Sequence, residues 1–222
     1  GFAFALSPVL GQKASIDSLK HSILKLETDS VNDFSDSNMM GYVQNYPDSG
    51  IYYARVLIAY GKKHNERRII ASGLNIFSYA LYNKGNYPVA LNMAFQSLRI
   101  IENSKYVRVI AGTYNLVGNI YKGEQNYPKA LYYYMRCKQL AQASHFQFIL
   151  NAACFNMAFV YKETNVLDSA LYYSKLSVYY STRLHGYYMG YILGTLGDEY
   201  FKLKNYKKAL EYYQTAYTLD KK

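Results

Sequence analysis

The chain repeats itself every forty residues. A small residue falls at Gly50, Ala90, Ala130, Ala170 and Ala209, at intervals of 40, 40, 40 and 39. The flanks recur with it: Asn86-Tyr87-Pro88-Val89-Ala90-Leu91, Asn126-Tyr127-Pro128-Lys129-Ala130-Leu131, Asn205-Tyr206-Lys207-Lys208-Ala209-Leu210, and Leu167–Tyr173 against Pro47–Tyr53. A period of this length marks an array of similar supersecondary units, each unable to bury its apolar face without its neighbours. Four Pro in 222 residues, with half the residues apolar, favour long helices over many turns. No run of eighteen apolar residues occurs, so no helix of bilayer-spanning length is expected within the chain.

Each period reads as two helices. The first runs upstream of the small residue, as in Val107 to Lys122, and the second downstream, as in Pro128 to Ala141. Short turns separate them at Gly85-Asn86, 123–126, Thr164-Asn165 and Lys204-Asn205. Pro88 and Pro128 suit a first helical turn, where the missing N–H costs nothing, and Asp168 suits an N-cap or a first-turn acid. Columns recur within the first helices. Nine residues before the small one stand Leu81, Tyr121, Tyr161 and Tyr200; twelve before stand Ser78, Gly118, Ala158 and Gly197. Apolar residues stand thirteen and sixteen before it, and all four columns share one helical stripe. A small residue on one helix lets its partner approach closely. The 28 Tyr include clusters such as 132–134, 172–173 and 212–213, just after the small residue, where rings are expected to pack between units.

These residues resemble tetratricopeptide repeats. The last unit carries the likeness best, with Leu196-Gly197, Tyr200, Asn205-Tyr206 and Ala209-Leu210-Glu211-Tyr212-Tyr213-Gln214-Thr215-Ala216. The resemblance spans residues 47–222 and implies an all-α fold, a right-handed α-α superhelix of antiparallel helix hairpins. The usual period is about 34 residues, so both helices of each unit are expected to be longer than usual. Residues 14–46 fit less well and are expected to cap the first end. Residues 1–13 read as a signal-peptide remnant or an apolar N-terminal arm.

The resemblance further implies a concave groove for a peptide or protein segment, lined by first helices. Carried over position by position, the lining is Asn75, Tyr79 and Tyr82; Asn115, Asn119 and Lys122; Phe155, Phe159 and Lys162; and Asp198, with Arg68 and Arg108 toward the N-terminal ends of their helices. Asn115 and Asn119 suit main-chain capture, since an amide can bond both a peptide N–H and a C=O. Lys122 and Lys162 suit a carboxylate, and the two phenylalanines suggest an apolar pocket. The two-carboxylate clamp of chaperone-binding members is not matched in full.

Motifs for catalysis are missing: there is no phosphate loop, GxSxG elbow or HExxH helix, and the four His are scattered. No enzyme activity, cofactor or metal is expected. Cys137 and Cys154 read as small buried thiols, with a disulfide between adjacent units as the alternative. Net charge is +10, with −3 over residues 11–50 and +13 over 51–222, yet no basic cluster of the kind used to read nucleic acid is present. The expected role is the ligand- or partner-sensing region of a larger regulatory protein. It would be exported to the periplasm or cell envelope and tied to a membrane through a segment beyond Lys222. The alternative is a cytoplasmic scaffold or peptide-pheromone-type receptor. The last second helix, with Tyr213, Ala216 and Tyr217, is a possible homodimer face.

Overall fold

The computed structural model describes residues 41, 43–184 and 189–220. The signal or arm reading of 1–13, most of the 14–46 cap and the segment beyond Lys222 lie outside the described residues. The helices in chain order are α1 (Pro47–Lys63), α2 (Arg67–Asn83), α3 (Tyr87–Ile101), α4 (Val107–Gly123), α5 (Tyr127–Ala143), α6 (Gln147–Glu163), α7 (Leu167–Arg183), α8 (Met189–Lys202) and α9 (Tyr206–Asp220). Residues 43–45 are also helical, and no strand occurs among the described residues. Helices joined by three-residue turns pack as antiparallel hairpins, the all-α architecture expected. Even-numbered helices are the first helices of each unit; odd-numbered ones carry the small residue. Helices of seventeen residues joined by three-residue turns make up the forty-residue period, so the extra length does go into the helices.

The turns share one device. Their middle residues, Asn65, Gly85, Gln125, His145, Asn165 and Lys204, all have positive φ, from 55° to 73°. In each turn two N–H groups reach back to carbonyls left free at the helix end. In one, Gln125 N–H bonds the Lys122 carbonyl at 3.0 Å and Asn126 N–H the Tyr121 carbonyl at 2.8 Å. This is the Schellman closure, and glycine fits its left-handed residue best. Only Gly85 meets that preference. Gln125→Gly is therefore expected to raise stability by about 1 kcal/mol, and Asn165→Gly by less, because Asn tolerates this region. Urea midpoints check both. Pro47, Pro88 and Pro128 lie in first turns. Asp168 is a first-turn acid rather than a cap, since α7 is preceded by Val166.

Helices α1–α3 form one compact unit and α4–α9 another. In the first, Val43, Ala54, Leu57, Ile69, Ile76 and Ala80 make a core. A Cβ on Gly50 would lie 2.7 Å from Val43 Cγ1, which explains the small residue there. In the second unit three pairs of tyrosines are structural. Tyr121 stacks on Tyr133, Tyr161 on Tyr173 and Tyr200 on Tyr212, with centroids 5.4–5.6 Å apart and planes within 13°. Each pair joins the two helices of one hairpin. Cys137 and Cys154 are buried and free; burial raises both thiols, Cys154 to about 12.

Candidate functional site

Six lining residues of the second unit come together on three first helices that touch in succession, α4, α6 and α8. Asn115, Asn119 and Lys122 share one stripe of α4 by their spacing of four and three. Phe159 and Lys162 follow the same spacing on α6, and Asp198 stands on α8.

Buried Asn156 knits α4 to α6. Its amide nitrogen donates to Asn115 Oδ1 at 3.1 Å, and its oxygen accepts from Lys122 Nζ at 3.0 Å. The Lys122 ammonium also lies 5.0 Å from the centre of the Phe159 ring. Lys162 lies over the same ring at 5.5 Å, and its Nζ reaches Asp198 Oδ2 at 3.3 Å. Asp198 Oδ1 accepts from Tyr213 OH at 2.9 Å, and Asn119 Oδ1 accepts from Tyr134 OH at 2.8 Å.

Two consequences follow for what this face can hold. First, the side-chain oxygens of Asn115, Asn119 and Asn156 each accept an internal bond, so the amide hydrogens of Asn115 and Asn119 are their more open groups. Asn119 keeps its amide hydrogens for a peptide C=O, while its oxygen, which already accepts from Tyr134, has one lone pair left for a peptide N–H. Second, the two lysines differ. Lys162 has a carboxylate partner in the next first helix, whereas Lys122 meets Phe159 at that place and is paired with no carboxylate among the described residues. Burial pushes the Lys122 ammonium down to about 8.

Other expected positions are placed differently. Phe155 is half-buried, and the exposed Tyr191 ring of α8 lies 5.2 Å from it. Arg108 lies over Phe146 at 5.9 Å. On α2, Arg68 is only 4% exposed, so it belongs to the interior of its unit rather than to a lining. Asn75 is half-buried, and Tyr79 stacks on Tyr82 at 6.1 Å, with burial raising both phenols. Asn156 was missed because its column is otherwise Ile76, Leu116 and Thr195 and reads as core. A lone amide in a buried column was the available signal. Tyr134 and Tyr213 were read as packing; their hydroxyl bonds to the residue after Gly118 and Gly197 had no sequence signal.

Fold and site together define a tetratricopeptide-like helical scaffold. A family model described as Tetratricopeptide repeat matches residues 190–222, the last hairpin. Solved structures with the same fold include the apo form of RapI, 16% identical, with a TM-score of 0.71 over 95% of this chain and 60% of that one. A Rap protein complexed with Competence and Sporulation Factor is 16% identical, with a TM-score of 0.65 over 96% of this chain and 72% of that one. BtubC (BKLC) from P. vanneervenii is 15% identical, with a TM-score of 0.64 over 80% and 72% of the two chains. No curated protein sequence matches the chain.

Proposed function

We propose that the chain works by binding rather than by catalysis, and that the α4–α6–α8 face takes a peptide or protein segment bearing a carboxylate. The observation that carries this is Lys122, a half-buried ammonium held by one amide oxygen and one aromatic face, with N–H groups of Asn115 and Asn119 beside it. A ligand carboxylate would supply the anion that Asp198 supplies to Lys162. Selection from a displayed random-peptide library tests it. Selected peptides are expected to carry a free carboxylate and to bind at least tenfold more weakly to Lys122→Met and Asn119→Ala. Equal binding by both variants removes this face from the reading.

The wider role follows the expectation from the sequence: the partner-sensing region of a larger, membrane-associated regulator. Reading the coding sequence downstream of Lys222 for a membrane helix tests it, and a stop codon there ends it. A cytoplasmic peptide receptor is the second reading, favoured by the likeness to a Rap protein whose structure holds Competence and Sporulation Factor. Sequencing the N-terminus of the protein from its native cells separates the two.

A further inference from the structure

The junction between α7 and α8 is built unlike the others. The buried residues of α7 are Ala170, Ser174, Ser177 and Ser181; none is a large apolar side chain. Four residues after the small one, α5 and α9 place Tyr134 and Tyr213 and α1 and α3 place Ala54 and Ala94, but α7 places a polar side chain, Ser174. The room is taken by Glu199 of α8, which is 0% exposed. Its column in the other repeats reads Ala80, Ile120 and Val160, all buried and apolar. An acid thus stands where the repeat calls for hydrocarbon.

Glu199 Oε1 accepts from Ser174 Oγ at 2.6 Å, and Oε2 has no hydrogen-bond partner. A carboxylate buried with one neutral donor carries a heavy desolvation cost, whereas the neutral acid does not. We propose that Glu199 is an acid-dependent latch: as the neutral acid it holds the α8–α9 hairpin against α7 through Ser174, and on losing its proton it loosens that junction. The charged groups acting on it are Lys162 of α6 and Asp198 and Lys202 of α8 itself. Around it, Lys175 of α7 and Lys208 of α9 are drawn to the Tyr200 ring, and Tyr213 of α9 bonds Asp198. Desolvation outweighs the Ser174 bond and the two lysines and pushes the carboxyl up to about 7. Physiological pH therefore falls on the switch. Loosening would carry Asp198 away from Lys162, so the latch would regulate the proposed binding face; the latch itself stands whether or not that face binds a peptide.

The sign is fixed by proton counting. A side chain that binds its proton more tightly in the closed state favours closure at low pH and loses that advantage between 4.5 and about 7. From pH 5.5 to 8.5 this linkage enlarges the opening equilibrium about thirtyfold. Amide hydrogen exchange on the whole chain, corrected for intrinsic rates, reads it directly. Protection over residues 189–220 is expected to fall by that factor relative to α4–α6. Glu199→Gln and Glu199→Ile, the latter copying Ile120, are expected to abolish the pH response. A carbon-13 titration of the Glu199 carboxyl supplies a measurement without mutation, with a midpoint expected above 6. A midpoint near 4.5, or an equal pH response in both variants, overturns the latch. Peptide selection at pH 5.5 failing while the exchange response persists would sink the binding reading alone.

Discussion

Tyr134→Ser is expected to cost the second unit about 3–5 kcal/mol, the range for deleting a buried ring, and Gly118→Ala about 1–3 kcal/mol, the range for overpacking. Yet the two together are expected to cost much less than their sum. The reason is a size match within each hairpin. Tyr134 is 0% exposed, and a Cβ on Gly118 would meet its Cδ1 and Cε1 at 2.5 Å. The ring cannot retreat easily, because its hydroxyl is tied to Asn119 at 2.8 Å. Gly197 and Tyr213 repeat the arrangement, with 2.6 Å to the nearest ring atom. The hairpin between them uses Ala158 and Ser174, and the first unit uses Ser78 and Ala94. The chain therefore offers two solutions to one contact, glycine against a ring or two small side chains. The double variant converts the α4–α5 hairpin to the second solution. A double-mutant cycle read by urea unfolding should give a coupling energy of at least 1 kcal/mol in the favourable direction. Additive costs would mean that the match is incidental.

The same contact shows how far the sequence could be read. The forty-residue period, the helix pairs and the buried small column were all legible, because stacked hairpins of one kind place the same close approach at the same position in each repeat. Ala90, Ala130 and Ala170 are each 0% exposed, as that column requires. Six of the proposed lining residues could be gathered on one face by counting along first helices. What a repeat frame conceals is the departure from it. Asn156 and Glu199 sit in columns that are apolar elsewhere, so their polar roles emerge only from partners on other helices, Asn115 and Lys122 for one and Ser174 for the other. Hydroxyl bonds such as Tyr213 to Asp198 depend on how far a ring extends across a hairpin, which spacing alone does not give. Phe155 is a similar case: the Tyr191 ring that meets it comes from the next first helix, which spacing along α6 does not give.

Lys122→Met should make the protein more stable at pH 7, by about 2 kcal/mol, while weakening its hold on a carboxylate ligand at least tenfold. The stability gain follows from desolvation. The ammonium is drawn down from 10.5 to about 8 by burial, so at neutral pH the fold carries a charge it would be more stable without. Methionine keeps the aliphatic length and the contact with Phe159 and removes the charge, while losing the bond to Asn156 Oδ1 offsets part of the gain. The sign of the pH dependence is distinctive. Between about 8 and 10.5 the unfolded chain holds the proton more tightly than the folded one, so the parent gains stability as pH rises through that window. The advantage of the variant should therefore shrink from pH 7 to pH 10. A lysine kept only for packing would show no binding loss, and one kept for an internal ion pair would destabilise when replaced. Lys162→Met serves as that contrast, because its ammonium has Asp198 at 3.3 Å and its loss leaves a carboxylate without its cation. A fall in stability for Lys122→Met, or unchanged ligand affinity, would assign Lys122 to the framework and leave the α4 stripe without its anion site.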